Sequence, residues 1–317
     1  MTNPEISLII PLYNEEKSLP FLFERLNKLI AGSDITFEIV LIDDGSTDST
    51  ADMCRQIALA DERYHCIFLA RNYGHQIALS AGISVASGIK ALMILDGDLQ
   101  DPPELFFEFY NYFLKGYDVV YAVRKERKES RFKKSAYFIF YRLLKRISNI
   151  ELPLDSGDFS LISRRVADVL NKMPEESRYI RGMRAWVGFK QIGVEYERSE
   201  RVAGDSKYSL TMLMKLAYNG IFNFSEVPIK FITKLGISSV IVALLYFVSV
   251  LIKKFVLNSD VPVGFTGLLF MIILFGGVQL ISLGILGEYI VRIFFQVKNR
   301  PLFIIKNRIK DKDIIEN

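Results

Sequence analysis

The chain has 317 residues, 50% of them hydrophobic and 13% aromatic, which is more apolar than an ordinary soluble domain. Its 40 Lys and Arg against 36 Asp and Glu leave a net charge of +4, too slight a surplus to argue for a nucleic-acid partner. Two cysteines, Cys54 and Cys66, have neither the spacing of a metal site nor the number for a disulfide framework, and read as core thiols of a reducing compartment.

Strand and helix patterns alternate from residue 6 to about residue 123. Residues 6–10 are an apolar run that opens the first strand, and residues 19–29 have helical spacing. Further strands are expected at 38–42, 65–69, 91–95 and 118–123, and helices at 50–59 and 76–86. Asp101-Pro102-Pro103-Glu104 reads as a helix start: Asp caps, proline fits the first turn, and Glu three residues on completes a capping box. Repeated β–α–β units predict an α/β domain with a mainly parallel, doubly wound sheet, whose ligands bind at the carboxyl ends of the strands. Three polar clusters fall at such ends: Tyr13-Asn14-Glu15, Asp43-Asp44-Gly45-Ser46 and Asp96-Gly97-Asp98-Leu99-Gln100. In the last, Asp96 and Asp98 are two apart on an extended segment and point the same way. Held together, they repel each other unless a divalent cation sits with them; the alternative is a solvated acidic turn after the strand. Hard oxygen ligands at a strand end suit Mg²⁺ or Mn²⁺ that also binds phosphates.

Residues 131–150 interleave aromatic and basic side chains, as an interfacial helix on an anionic bilayer does, and residues 210–225 make a second amphipathic run. The alternative for both is a helix packed on the sheet. Residues 235–252 and 264–287 carry no charge. Each can cross much or all of a hydrocarbon core of about 30 Å at about 1.5 Å per residue. The expected organisation is a catalytic domain over residues 1–230 that includes the interfacial helices. Two transmembrane helices follow at about 233–256 and 263–291, then a cytosolic basic tail over 293–317, whose residues 306–317 read as solvated and polar. No basic leader with an apolar core precedes the first strand, and only Lys253 and Lys254 fall in the outer connection. The positive-inside rule then places the catalytic domain and both termini in the cytosol, in a multi-pass protein of the cell (inner) membrane.

Six motifs occur in order: Ile10-Pro11-Leu12-Tyr13-Asn14-Glu15-Glu16, Asp43-Asp44-Gly45-Ser46-Thr47-Asp48, Asp96-Gly97-Asp98-Leu99-Gln100-Asp101-Pro102-Pro103-Glu104, Asp155-Ser156-Gly157-Asp158-Phe159, Arg181-Gly182-Met183-Arg184-Ala185-Trp186-Val187-Gly188-Phe189 and Arg201-Val202-Ala203-Gly204-Asp205-Ser206-Lys207-Tyr208. Through them the chain resembles the GT-A family 2 glycosyltransferases over nearly its whole length. More narrowly it is similar to the polyprenyl-phosphate glycosyltransferases, which include dolichyl-phosphate mannose synthase and the bactoprenol glucosyltransferases.

The resemblance implies a GT-A, Rossmann-like domain and a role for each matching residue. Pro11, Tyr13, Glu15, Asp44 and Asp96 would bind the nucleotide sugar, since carboxylates accept from ribose hydroxyls and base N–H groups. Asp96 and Asp98 would hold Mg²⁺ or Mn²⁺, with Gln100 nearby offering a carbonyl, and Asp98 would serve catalysis through that metal. Arg124, Arg131, Arg201 and Lys207 match positions used for phosphates, with Arg71 a further candidate; for Arg124 and Arg131 a solvated basic face stays open. Asp158 occupies the position of a catalytic base. A phosphate monoester loses its second proton near a pH of about 6, so the acceptor needs a base less than a sugar hydroxyl does. Asp158 as base and Asp158 as an orienting group both stay open. Related bacterial chains often have Arg after Gly-Asp-Phe; Ser160 stands there in this chain, and Arg164 or Arg165 could supply the missing cation.

The implied activity is inverting transfer of one sugar, glucose or a related hexose or aminosugar, from a UDP-sugar to polyprenyl (undecaprenyl) phosphate at the cytosolic leaflet. The implied assembly is a homo-oligomer such as a tetramer. Two alternatives are a processive polysaccharide synthase and a catalytically silent membrane scaffold. The Gln-x-x-Arg-Trp motif of the synthases is absent, because Ala185 precedes the single tryptophan, Trp186.

Overall fold

The structure is a computed structural model that describes residues 3–124, 156–197, 227–255 and 264–316. The expected interfacial helices at 131–150 and 210–225, and with them Arg131, Arg201 and Lys207, lie outside the described residues. The chain divides into two compact units: Met1–Ala217 with Arg300–Asn317, and Tyr218–Asn299.

The first unit is built on one sheet. Its strands are β1 (Ile6–Leu12), β2 (Phe37–Asp43), β3 (Tyr64–Leu69), β4 (Ala91–Ile94), β5 (Val119–Arg124), β6 (Ser156–Ser163), β7 (Gln191–Tyr196), β8 (Ile305–Lys310) and β9 (Asp313–Glu316). They lie in the order β7-β5-β6-β4-β1-β2-β3-β8-β9. The helices are α1 (Leu19–Ala31), α2 (Thr50–Ala60), α3 (His75–Val85), α4 (Phe106–Leu114), α5 (Arg164–Lys172) and α6 (Ile180–Trp186).

β1 and β2 are buried at every position, as a strand covered on both faces must be. The period of two sorts their side chains into two cores. Ile6, Leu8, Ile10, Leu12, Ile39 and Leu41 join α1, α2 and α4 residues such as Leu22, Leu26, Cys54 and Phe106. Ile9, Val40 and Ile42 face the other way, against Leu79 and Ile83 of α3, Val166 and Leu170 of α5, and Met183 of α6. Pro11 fits a central strand because the last β1–β4 pair is Ile9 with Ile94, so its missing N–H falls past the end of that ladder.

Four expectations are corrected. The sheet is mixed: β1, β2, β3 and β4 run parallel, but β6 is antiparallel to β4 and β5, and β8 to β3. The end of the chain is not a free tail but a hairpin on the sheet. β8 pairs with β3 through Cys66↔Ile309 and Ile67↔Arg308, β9 folds back on it, and Ile309 is fully buried. Its strand period was hidden by Lys and Arg at alternate positions, which keep an edge hairpin polar on one face. Asp101 is not a helix cap. Residues Pro103–Leu105 form a 3-10 turn before α4, and Asp101 instead accepts a hydrogen bond from Tyr196 Oη.

The fourth correction concerns the membrane segments. The second unit has two long helices, α7 (Val227–Phe255) and α8 (Phe265–Lys298). Among the described residues only Leu274–Lys298 is long and apolar enough to cross a membrane. In α7 the charge-free residues 235–252 lie between Lys230 and Lys234 at one end and Lys253 and Lys254 at the other. Two spans are therefore not supported.

Packing of the tail is open to direct measurement. Ile309→Ala should lower the unfolding free energy of the full chain by about 2–4 kcal/mol, the cost of truncating a buried isoleucine. Denaturant titration reads this, and a change below about 0.5 kcal/mol is what a solvated tail would give.

Candidate active site

Each of the four loops leaving the parallel strands β1 to β4 contains one residue in left-handed backbone: Asn14 (φ 53°), Gly45 (φ 69°), Gly74 (φ 94°) and Leu99 (φ 58°). The loops turn sharply there and crowd together. At Gly45 a Cβ would lie 2.7 Å from the Arg71 carbonyl carbon and 2.8 Å from the Asn72 nitrogen, so only glycine lets the β2 and β3 loops touch. Asn14 Oδ1 accepts the Thr47 N–H at 2.8 Å, tying the β1 loop to the β2 loop. Leu99 is the costly position, since a leucine in this region is disfavoured by about 1–2 kcal/mol. Its side chain is 1% exposed in the core, and Asp98 Oδ1 accepts the Gln100 N–H at 3.1 Å. The turn thus buries its leucine and leaves the Asp96 carboxylate partly exposed beside a buried Asp98.

The nucleotide candidates are present at this end, with more structural duty than expected. Asp44 is buried, and its oxygens accept the Tyr73 N–H at 2.7 Å and the Gly74 N–H at 2.8 Å. Burial raises its pKa against those two bonds. Glu15 Oε2 accepts from Ser18 Oγ at 2.9 Å, and its carbonyl receives Ser18 N and Leu19 N, so Glu15 also holds the start of α1. Tyr13 stays exposed on the same loop, and Arg71 lies over the Tyr73 ring at 4.2 Å. Arg124 is the last residue of β5, paired with Tyr196 of β7.

Asp158 arrives from the opposite direction. Because β6 is antiparallel to β4, the start of β6 lies at the carboxyl end of the parallel strands. Asp158 is 4% exposed and ringed by donors. Arg181 Nε lies 2.9 Å from Oδ1 and Arg181 Nη2 lies 3.1 Å from Oδ2. Gln76 Nε2 donates to Oδ2 at 3.0 Å, and His75 Nε2 lies 3.3 Å from Oδ2 and 3.7 Å from Asp96 Oδ1. Burial would raise the Asp158 pKa, but the charge of Arg181 and the bonds from His75 and Arg181 hold it well below the usual carboxylate range. Partial burial would lower that of His75; the Asp158 bond and the charges of Asp96 and Asp158 raise it instead to about 9. Burial pushes the Asp96 carboxyl up and His75 pulls it down. The charges of Asp101, Asp98 and Asp158 push it up again, to about 6. Beside them Arg184 is wholly buried, with its Cζ 5.3 Å from the Tyr121 ring centre, and burial lowers its pKa to about 10.

This end of the sheet therefore gathers Asp96, Asp98, Asp101 and Asp158, with His75 and Arg181 turned to Asp158. Among the described residues no three His, Cys, Asp or Glu side chains form a ready metal cage. The donor set nonetheless fits a hard cation that keeps its waters and shares one or two carboxylates with a phosphate. Asp96, partly exposed among three other carboxylates, is where positive charge would relieve most. Nothing in the motifs pointed to His75. It is one of two histidines in the chain and opens α3 directly after the β3 loop, a placement that could have drawn notice. Arg164 and Arg165 do not replace the cation missing at Ser160. They follow β6 at its far end, about 20 Å from Asp158 at about 3.3 Å per residue. There they pair with Asp168 and Asp118.

The Glycosyl transferase family 2 profile matches residues 7–170. The chain is 41% identical to the uncharacterized glycosyltransferase YkcC of Bacillus subtilis, over 95% of this chain and 93% of that protein. It is 38% identical to the bactoprenol glucosyl transferase of Shigella phage SfII, over 95% of this chain and 97% of that protein. Glucosyl-3-phosphoglycerate synthase from Mycobacterium tuberculosis, solved with Mn²⁺, UDP-glucose and phosphoglyceric acid, is similar with a TM-score of 0.44 and 20% identity, covering 69% of this chain and 78% of that one. A β1-to-α5 frame inside the matched region, with acidic loops at its carboxyl end and relatives aligned end to end, makes this chain a member of glycosyltransferase family 2.

Proposed function

We propose that the protein transfers a single sugar, glucose or a related hexose, from a UDP-sugar to polyprenyl phosphate at the cytosolic face of a membrane. The observation that carries the reading is the acidic cluster around Asp96 and Asp98, faced by the His75–Asp158–Arg181 network at one end of the sheet. The bactoprenol glucosyl transferases at 38% identity support the lipid acceptor. The apolar stretch Leu274–Lys298 supports a membrane location. An acceptor with a long prenyl tail cannot leave the bilayer, so its enzyme must come to it. Arg124, Arg131, Arg201 and Lys207 belong to the reading as phosphate-binding residues, and the interfacial helices and a homo-oligomer as its membrane form.

The chemistry follows from the charges. An oxygen of the acceptor phosphate attacks the anomeric carbon, the bond from that carbon to the donor's diphosphate breaks, and configuration inverts. The electron pair leaves with the nucleoside diphosphate. A divalent cation, Mg²⁺ or Mn²⁺, supplies charge neutralisation for that leaving group when bound. Asp96 and Asp98 would hold it, with Gln100 beside them. No proton need be removed, because the acceptor phosphate is already largely a dianion above a pH of about 6. Asp158 is a poor base for a further reason: Arg181, Gln76 and His75 already occupy its oxygens and stabilise its ionised form. Its role in this reading is to hold a fixed anionic wall beside the sugar.

Two measurements test the reading. Membrane-reconstituted protein incubated with a panel of UDP-sugars, polyprenyl phosphate and Mg²⁺ should yield, by mass spectrometry, the lipid phosphate carrying one sugar. A ladder of longer glycans would instead support a processive synthase, and no product with any pair would support a silent scaffold. Asp98→Ala should lower transfer by at least about 100-fold while membrane insertion is unchanged. Wild-type rates in that variant would remove the metal role.

A further inference from the structure

Gln76 makes two contacts that no other side chain of the cleft combines. Its Nε2 donates to Asp158 Oδ2 at 3.0 Å, and its Oε1 accepts the Ile180 N–H at 2.8 Å. The amide orientation is unambiguous, because the ionised carboxylate can only accept and the backbone N–H can only donate. Ile180 is the first residue of α6, so its N–H has no partner within that helix and needs one from outside. The next residue, Arg181, forks onto both oxygens of Asp158. A triangle closes: Gln76 fixes the start of α6, the start of α6 fixes the Arg181 fork, and Gln76 and the fork together fix Asp158.

We infer that Gln76 is a positioning residue for sugar transfer. Its amide sets the Asp158 carboxylate and, through the Ile180 N–H, the helix that carries Arg181. The inference rests on the proposed transferase reading for its catalytic half and on the two hydrogen bonds alone for its structural half. No other residue type of similar size serves. Glutamate keeps the acceptor for Ile180 but sets a carboxylate against Asp158; leucine removes both contacts; asparagine is one methylene too short to span them. Misplacing a reacting or orienting group by about 1 Å can cost on the order of 100-fold in rate, so the effect belongs on kcat rather than on nucleotide affinity.

The test uses the full-length protein in lipid, with Gln76→Glu and Gln76→Leu. Three quantities are read: amide hydrogen exchange of the peptide spanning residues 179–182, calorimetric binding of UDP with Mn²⁺, and kcat with the UDP-sugar the wild type accepts. Gln76→Leu should speed exchange at the start of α6 by about 10-fold or more, while Gln76→Glu keeps it within about 2-fold of wild type. Both variants should bind UDP within about 3-fold of wild type and lose about 10- to 100-fold in kcat. Unchanged exchange in Gln76→Leu overturns the structural half. Wild-type kcat in both variants, or a kcat loss that only tracks lost UDP-binding protein, overturns the catalytic half. If the wild type transfers no sugar, the proposed function fails and takes the catalytic half with it, while the exchange result still decides the structural half by itself.

Discussion

Mutual repulsion among carboxylates is the constraint around which this cleft is built. Asp96, Asp98, Asp101 and Asp158 converge at one end of the sheet, and their charges together with burial lift Asp96 to about 6. Several protein donors face these carboxylates. Arg181, Gln76 and His75 satisfy Asp158, and Tyr196 bonds Asp101. His75 Nε2 also lies 3.7 Å from Asp96 Oδ1. Asp101 bonds Tyr196 and Asp158 bonds Arg181 and Gln76, while Asp98 accepts the Gln100 N–H and Asp96 faces His75; the proposed function gives the last two carboxylates a cation and a diphosphate to share.

The backbone bears the cost of bringing these groups together. The parallel strands deliver their loops to one end, and left-handed residues at Asn14, Gly45, Gly74 and Leu99 fold those loops against one another. Gly97 completes the approach, since a Cβ there would sit 2.4 Å from Leu12 Cδ2. Antiparallel β6 supplies the remaining element, because it presents its beginning, with Asp158, where the parallel strands present their ends. Strain stored in a buried Leu99 persists because the surrounding core overdetermines it.

Much of this was legible in the chain itself, and the parts that were not share a cause. Strands β1 to β5 read correctly to within about two residues because both faces are buried and the apolar runs are continuous. The acidic loops were legible because they interrupt those runs at strand ends. β8 and β9 were missed because an edge hairpin rich in Lys, Asp and Asn looks like a solvated tail until β3 is there to pair with it. The capping box at Asp101 failed because a tertiary partner, Tyr196, lies 95 residues away and took the carboxylate. Asp158 was found by motif and Arg181 opens another motif, but their pairing, and the donors His75 and Gln76, come from two helices that only the folded sheet brings together. The proposed orienting role of Asp158 rests on those donors.

The central claim is that the Asp96–Asp98 loop is a cation seat completed by a nucleoside diphosphate. Electron paramagnetic resonance of Mn²⁺ tests it most directly, since free Mn²⁺ gives a signal that is lost on binding. Wild-type protein should take up Mn²⁺ strongly only when UDP is present, and Asp96→Asn and Asp98→Asn should each abolish that UDP-dependent uptake while remaining folded. Equal uptake by wild type and both variants would contradict the account.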